Sequence, residues 1–306
     1  MLSIPNGVYP TMVTPFKDDL QVDLPALEPL LRWYEARGVA GVFAICQSSE
    51  IFYMSFAERL QILREILRLR KAETVVIASG HTAYDPATQI KEAQAFIAEG
   101  IDAYVFISNR FAAAGEGEDA FLRRVETVAR ALGDIPLGVY ECPYPYKRLV
   151  APQTLRRLTG IGNFAFLKDT CCSAAGMQAK MEAVTGTNLK LFNANAATLL
   201  ESLRLGAAGY SGVMANFHPE IYAKLCACWQ SDPALAERLQ AFAGFASLAE
   251  CQAYPTNAKY HLALEGIPLG WRCRAQDSEA LFPRNRQLEI EQLWQLTQER
   301  KAAFAL

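Results

Sequence analysis

The chain has 306 residues, of which 51% are hydrophobic and 20% are charged, and this composition is typical of a folded globular protein. Thirty Lys and Arg residues against 32 Asp and Glu residues give a net charge of −2, which excludes the strongly basic surface that nucleic-acid binding needs. The sequence has no apolar run of about 18 residues that would predict a membrane span, and no basic segment followed by an apolar run that would predict a secretory signal. We therefore expect a cytoplasmic protein with neither nucleic acid nor membrane as a partner.

Eight short apolar runs alternate with amphipathic helical patterns along the chain. Nearly continuous apolar character is typical of parallel strands that are buried on both faces. The runs that we predict as strands are Gly7–Thr14, Val39–Ile45, Thr74–Ser79, Asp102–Ile107, Pro136–Tyr140, Phe164–Lys168, Leu189–Asn193 and Ala208–Val213.

Capping residues predict where several of the helices between these strands begin. Asp23 is placed to cap the first helix, which Gly38 would end. Ser55 and Glu58 form a capping-box pattern before the second helix, and Asp85-Pro86 provides an N-cap and a first-turn proline for the third.

Eight strand–helix units predict an α/β protein with a (β/α)₈ TIM barrel and a C-terminal helical extension. We expect one domain, with the barrel core in residues 1–218 and the last barrel helix and the extension in residues 219–306. A doubly wound open sheet is the alternative, but the first strand ends in Val13-Thr14-Pro15-Phe16, without a GxGxxG turn.

Barrel enzymes carry their chemistry at the carboxyl ends of the strands, and Lys168 ends the sixth predicted strand. In an apolar barrel mouth, desolvation would lower the pKa of this amine and make it a nucleophile toward a ketone. From position alone, a structural lysine paired with Asp169 or Glu141 is the more common case. Tyr140 ends the fifth strand and could move a proton, although a packed core tyrosine is again more common.

Small polar residues follow two further strands. Gln47, Ser48 and Ser49 open the loop after the second strand, where hydroxyl groups and free backbone N–H groups suit a carboxylate. An ordinary β–α turn would explain these serines equally well. Ser211 ends the eighth strand and is a fourth candidate for substrate binding.

Metal and cofactor sites lack sequence support. The three histidines, His81, His218 and His261, fall in separate elements, where we predict surface or capping roles, and we expect neither a metal site nor a cofactor. No GxSxG motif predicts a serine nucleophile. The eight cysteines include no CxxC pair, which favours reduced thiols in a cytoplasmic protein.

Five motifs resemble those of the dihydrodipicolinate synthase / N-acetylneuraminate lyase family of pyruvate-dependent class I aldolases, in order over residues 6 to about 270. Residues 7–16 resemble the family's opening strand, and Glu50 with Glu58-Arg59 resembles the stretch after its GTTGE loop. Residues 140–143 are similar to Y-N-x-P, and residues 167–170 to the signature that carries the Schiff-base lysine. Residues 206–209 and Asn216 resemble the region of strand 8.

The resemblance implies that Lys168 forms an imine with pyruvate or another 2-oxo acid and that Tyr140 relays protons. It also implies that residues 47–49 hold the substrate carboxylate, that an aldehyde is the second substrate, and that the protein is a homotetramer built as a dimer of dimers. The protonated imine would act as an electron sink for cleavage or formation of a C–C bond.

Departures from the family pattern bear on the substrate. Gln47 and Ser48 replace the two threonines of the carboxylate loop, and Gln47 cannot relay a proton as a hydroxyl can. Phe111 falls where the synthase has the tyrosine that a neighbouring subunit contributes. Glu141 replaces an asparagine beside the catalytic tyrosine, and Pro145 replaces the arginine that binds the aldehyde's carboxylate.

Three functions follow from these residues. The first is a Schiff-base lyase or aldolase acting through Lys168 and Tyr140 on a 2-oxo acid and an aldehyde. The second is the 4-hydroxy-tetrahydrodipicolinate synthase reaction of pyruvate with aspartate semialdehyde, which would need a repositioned basic residue among Arg110, Lys147 and Arg148. The third is a non-catalytic relative that binds a 2-oxo acid. Because losing buried polar partners costs about 1–3 kcal/mol each, we favour a diverged lyase.

Overall fold

The computed structural model describes residues 4–306 and contains an eight-stranded parallel sheet. Its strands alternate with helices, which confirms the predicted (β/α)₈ TIM barrel. The strands are β1 Gly7–Val8, β2 Gly41–Ile45, β3 Val75–Ala78, β4 Ala103–Ile107, β5 Leu137–Tyr140, β6 Phe164–Asp169, β7 Lys190–Asn193 and β8 Gly209–Tyr210.

The sheet closes on itself. Strands follow the order β1-β8-β7-β6-β5-β4-β3-β2, and every pair is parallel. Between β1 and β2 the Ala40 N–H donates to the Val8 carbonyl over 3.0 Å, and the Phe43 N–H donates to the Pro10 carbonyl over 2.9 Å. The carboxyl ends of all eight strands therefore surround one mouth.

The first and last strands are shorter than predicted. Residues 7–14 were expected in the first strand, but only Gly7 and Val8 pair with β8. Pro10 has no N–H to continue the ladder, and beyond it Thr11 makes only an isolated bridge with Phe43. The other six strands agree with their predicted ranges within two residues at either end.

Helices cover the outside of the barrel and form the extension. The barrel helices are α1 Leu27–Glu35, α2 Phe56–Leu69, α3 Pro86–Ala98, α4 Glu118–Arg130, α5 Pro152–Leu158, α6 Ala174–Ala183, α7 Leu199–Arg204 and α8 Pro219–Cys228. The extension contains α9 Pro233–Ala246, α10 Thr256–Leu264, α11 Ser278–Leu281 and α12 Arg284–Phe304. The division between residues 218 and 219 stays a prediction. No helix within residues 4–306 combines the length and the apolar character of a membrane span.

Two of the three predicted helix starts are confirmed. The Ser55 hydroxyl accepts from the Glu58 N–H, and the Glu58 carboxylate accepts from the Ser55 N–H, as in a capping box. Asp85 accepts from the Thr88 N–H over 2.8 Å. The prediction for Asp23 was wrong, because α1 begins at Leu27 after Ala26 and has no side-chain cap.

Aromatic rings fill the interior of the barrel. Phe166 stacks on Phe192 with 4.4 Å between ring centroids, and Tyr9 meets both rings edge-on. Phe43 lies between Phe166 and the Tyr140 ring. This apolar floor supports the side chains at the carboxyl end of β6 and keeps water away from them.

Candidate active site

Strand alternation decides which polar side chains enter the barrel. Successive residues of a strand point to opposite faces, so Lys168 shares the inner face with Phe166, and Asp169 points outward. Tyr140 is the β5 partner of Lys168 in the register, so the two side chains lie next to each other at the inner face. Lys168 and Tyr140 are therefore brought together as the sequence predicts.

Lys168 is a buried amine in an aromatic environment. Its side chain is 3% exposed, and the Nζ atom lies 4.2 Å from the centre of the Tyr140 ring and 5.8 Å from that of Phe43. It forms no ion pair with any residue in 4–306. Desolvation among these rings lowers the pKa of Lys168, which increases the share of the nucleophilic neutral amine.

The alternative interpretation, a structural ion pair of Lys168 with Asp169 or Glu141, does not match the structure. Both carboxylates bind the ammonium of Lys180 on α6, each over 2.5 Å. Glu141 also accepts from the backbone N–H groups of Val150 and Thr170. Glu141 was expected to add a carboxylate to the substrate site, but it is committed to this cluster behind the sheet.

Tyr140 is 4% exposed, and its hydroxyl donates to the Gln47 side-chain oxygen over 3.2 Å. The Cys142 thiol donates to the same oxygen, also over 3.2 Å. Burial holds the pKa of Tyr140 well above the usual range, so the phenol stays protonated. The hydroxyl lies within one hydrogen bond of the predicted carboxylate loop.

That loop is a 3₁₀ helix, Gln47–Ser49, which directly follows β2. The Ser48 hydroxyl donates to Thr11 over 3.0 Å, and the Ser49 hydroxyl donates to the Met12 and Ala44 carbonyls. The backbone N–H groups of Gln47 and Ser48 have no acceptor within residues 4–306. These two N–H groups, more than the serine hydroxyls, are free to receive a carboxylate.

Glu50 fixes this loop to the C-terminal extension. It has a left-handed backbone with φ of 62°, and its buried carboxylate accepts from the Lys259 ammonium over 2.6 Å. The second oxygen accepts from the N–H groups of Arg274 and Ala275. The extension therefore holds the loop from behind.

Ser211 is fully buried, and its hydroxyl donates to the Tyr9 carbonyl over 3.0 Å. A substrate-binding role for Ser211 stays a prediction. Sequence reasoning missed Tyr254, whose hydroxyl accepts from the Asn216 side chain over 3.1 Å and interacts with Ser48 and Thr11. It comes from the extension, where no motif marks it.

The three basic residues that could bind the carboxylate of a second substrate lie in different environments. The Arg110 guanidinium lies between the rings of Phe52 and Tyr84, 4.5 and 4.6 Å from their centres, and it forms no ion pair within residues 4–306. Arg148 pairs with Glu118 over 2.9 Å, and Lys147 is exposed.

Phe111 is fully buried. Its ring lies 4.9 Å from that of Phe106 and 5.3 Å from that of His81. The structure thus places Phe111 in the core around β4, and its predicted part in the site has no support from these contacts.

The three histidines are all fully buried, so the surface roles predicted for them are wrong. His81 interacts with the Tyr104 hydroxyl over 2.8 Å and accepts from the Ile107 N–H, and burial lowers its pKa to about 3. Aromatic rings surround His218 and His261 as well. Residues 4–306 contain no group of three or more His, Cys, Asp or Glu that could hold a metal ion.

The arrangement is suited to carbonyl chemistry. A neutral amine attacks a ketone, a protonated phenol beside it can donate a proton, and free N–H groups can hold the carboxylate of an oxo acid. We conclude that the protein is a carbon–carbon lyase of the class I aldolase type.

Comparison with family models supports this conclusion, and the match covers nearly the whole chain. The model of the dihydrodipicolinate synthetase family matches residues 4–276. The chain belongs to this family.

Curated relatives are distant but numerous. The 4-hydroxy-tetrahydrodipicolinate synthase of Anaplasma marginale (strain St. Maries) is 24% identical over 221 residues, which are 72% of this chain and 71% of the relative. A DapA-like lyase of Pyrococcus horikoshii, itself uncharacterized, is 29% identical over 220 residues, 71% of this chain and 74% of the relative.

Solved structures share the fold. The prophage protein YagE of E. coli K12, of the dihydrodipicolinic acid synthase family and in complex with pyruvate, has a TM-score of 0.87 and 21% identity, covering 96% of this chain and 98% of its own. The sialic acid aldolase of Ruminococcus gnavus has a TM-score of 0.86 and 19% identity, covering 98% of this chain and 99% of its own.

Proposed function

We propose that Lys168 forms an imine with a 2-oxo acid of the pyruvate type, and that the protein joins this acid to an aldehyde or cleaves such a product. The observation that carries the proposal is the state of Lys168. It is the inner-face amine beside Tyr140, it has no counterion within residues 4–306, and its pKa is lowered.

The groups that imine formation needs are in place. The neutral amine adds to C2 of the oxo acid, and the C2 oxygen leaves as water after two protons reach it, which gives the protonated imine. Tyr140 can donate to the departing hydroxyl because its phenol remains protonated. The N–H groups of Gln47 and Ser48 bind the carboxylate. Loss of a C3 proton, or cleavage of the C3–C4 bond, then sends an electron pair into the imine.

The named relatives support a 2-oxo acid substrate. The E. coli protein of the same fold was solved with pyruvate, and many relatives are named 4-hydroxy-tetrahydrodipicolinate synthase. The synthase reaction on this chain would require a basic group for the carboxylate of aspartate semialdehyde. Arg148 is committed to Glu118 and Pro145 offers no charge, so the synthase reaction would depend on Arg110, and we favour a different aldehyde.

Borohydride reduction tests the imine. With pyruvate present, we expect a pyruvate-sized mass increase on the peptide that contains Lys168, and no increase in Lys168→Ala. Lys147→Ala is the matched control, because Lys147 is an exposed lysine near the same barrel mouth, and it should trap as the wild type does. 2-Oxobutanoate is run in parallel as a larger acid.

Absence of an adduct with both acids would refute the imine and favour the non-catalytic binding protein, which calorimetry with pyruvate would then detect. If the imine forms, a condensation assay with aspartate semialdehyde separates the two enzyme hypotheses. Product formation would establish the synthase, and its absence would leave the diverged lyase.

We also propose a homotetramer and a cytoplasmic location. Exposed apolar side chains that a second copy could cover include Phe245, Leu248 and Leu296, around a groove of about 630 Å³ between α9 and α12. Sedimentation velocity measures the assembly. All eight cysteines are free, which is typical of a reducing compartment.

A further inference from the structure

The proton path from Tyr140 ends at Gln47. The phenol donates to the Gln47 amide oxygen, and the Cys142 thiol donates to the same atom. An amide oxygen accepts hydrogen bonds but does not take up a proton and pass it on near neutral pH. Gln47 therefore cannot pass on a C3 proton that is removed beside Lys168.

A carboxyl group reaches the same mouth from the C-terminal extension. Glu250 lies in the 3₁₀ helix Ser247–Cys251, which packs against the 3₁₀ helix Val213–Asn216 that follows β8. Asn257 donates to the Ala249 carbonyl over 2.7 Å, which fixes this segment. Asn216 donates to Tyr254, three residues past the segment's end, so it is tied down on both sides of Glu250.

Glu250 differs from the other buried carboxylates near the site. Glu50, Glu141 and Asp169 each accept from a lysine ammonium. The Glu250 side chain forms neither a hydrogen bond nor an ion pair with any residue in 4–306, and the residue is only partly exposed. A partly exposed carboxyl group without a partner is available to a ligand or to a proton.

The groups on which Glu250 acts lie in the barrel, at the loop after β2, and between β8 and α8, where Tyr210 stacks on Tyr222. Its charge acts on Lys168, and it raises the pKa of Tyr210, Tyr222 and Tyr254. Burial raises the pKa of Glu250 to about 7, and Lys168 partly opposes this rise. A base whose pKa lies near the operating pH transfers protons most effectively.

We propose that Glu250 is the general base that removes the C3 proton of the oxo-acid imine on Lys168. The C3–H bond breaks and the proton moves to a carboxylate oxygen of Glu250. The electron pair forms the C2–C3 double bond, and the π pair of the protonated imine moves to the Lys168 nitrogen. The product is a neutral enamine, and no further reactant is consumed. This role rests on the proposed function.

Deuterium exchange tests the step without knowledge of the aldehyde. Pyruvate is incubated with the protein in D₂O, and loss of the methyl signal is followed by proton NMR. We expect Glu250→Gln to exchange about 10²-fold more slowly than the wild type or slower still, since a general base contributes about 10²–10⁴-fold. Borohydride trapping on Lys168 should continue in this variant.

The pH profile separates a base from a structural group. Wild-type exchange should rise with pH through about 7, because the carboxylate must be deprotonated to accept the proton. This rise should be absent in Glu250→Gln and restored in Glu250→Asp. Glu237→Gln, which alters an exposed carboxylate of the same extension, should match the wild type.

Three results would overturn the role of Glu250. If Glu250→Gln still traps pyruvate and exchanges deuterium at the wild-type rate, Glu250 is not the base, and the proposed function stands. Loss of both trapping and exchange in that variant would show that Glu250 positions Lys168 instead. A wild-type protein that neither traps nor exchanges would overturn the proposed function and this inference with it.

Discussion

A buried lysine lies at each face of strand β6, and within residues 4–306 only the outer one forms ion pairs. On the inner face, Lys168 lies against the rings of Tyr140 and Phe43 without an anion within residues 4–306. On the outer face, Lys180 reaches from α6 to Glu141 and Asp169. The two amines are 12 positions apart in the sequence and almost equally buried.

Their environments move the two pKa values in opposite directions. Desolvation lowers the pKa of Lys168. Desolvation also acts on Lys180, but the two carboxylates outweigh it and raise its pKa. Burial raises the pKa of Glu141, and the neighbouring charge of Asp169 adds to this rise, although Lys180 opposes it. Burial alone therefore does not identify a reactive lysine, and the partners decide its state.

The largest expected difference between the two lysines is in stability. Lys180→Met leaves two carboxylates buried without a cation, so we expect the free energy of unfolding to fall by about 3–5 kcal/mol. Lys168→Met removes an amine that forms no ion pair within residues 4–306, and we expect stability to be unchanged or higher. Urea unfolding followed by circular dichroism measures both variants against the wild type.

The double variant Glu141→Gln with Lys180→Met provides a control, since removing one of the two carboxylates should recover part of the loss. Equal losses in Lys168→Met and Lys180→Met would contradict the comparison. That result would mean that Lys168 also contributes a stabilising ion pair.

Lys168 and Lys180 should also make the free energy of unfolding depend on pH in opposite directions. Lys168 has a folded pKa below its ordinary value of 10.5, so the unfolded chain binds more protons between the two values and stability rises with pH there. Lys180 has a raised folded pKa, so its contribution is complete below 10.5 and is lost as pH rises through the folded value.

The measurement is the urea midpoint of the wild type and of Lys168→Met from about pH 7 to about pH 10. Any advantage of Lys168→Met should shrink as pH rises. The deficit of Lys180→Met should stay constant over the same range. An advantage of Lys168→Met that grows with pH would show that the pKa of Lys168 is not lowered.

The comparison also shows what the sequence could predict. Apolar runs located β2 to β7 well, because those strands are buried on both faces and consist almost wholly of such residues. The apolar runs predicted β1 and β8 to be longer than they are, because the apolar residues after Val8 and Tyr210 lie in loop and 3₁₀ helix. Helix starts were reliable where a cap and its partner were both present, as at Ser55 and Glu58.

The proximity of Lys168 and Tyr140 was predictable, because a motif marks each of these two strand ends. The outward position of Glu141 follows from strand alternation, which could have been applied to the sequence. Glu250 and Tyr254 could not be found, because they come from the extension and meet the barrel mouth only through tertiary packing.

The smallest expected effect applies the same comparison to two adjacent serines. Ser49 is fully buried, and its hydroxyl donates to the Met12 carbonyl and accepts from the Cys46 N–H. Ser49→Ala leaves that N–H unpaired and should lower the free energy of unfolding by about 1–3 kcal/mol. Ser48→Ala loses one bond to Thr11 and should cost about 0.5–1.5 kcal/mol.

The order should be reversed for pyruvate binding, which Ser48→Ala should weaken more than Ser49→Ala. Ser48→Ala keeps the backbone N–H but removes the hydroxyl beside it, which interacts with Thr11 and Tyr254, so this variant should weaken pyruvate binding by several-fold. Ser49→Ala should bind pyruvate nearly as well as the wild type once folded. Calorimetric titration with pyruvate, beside thermal unfolding of the same samples, gives both quantities. If Ser49→Ala were the variant that lost binding while keeping its stability, the Ser49 hydroxyl would face the substrate, and our assignment of a structural role to it would fail.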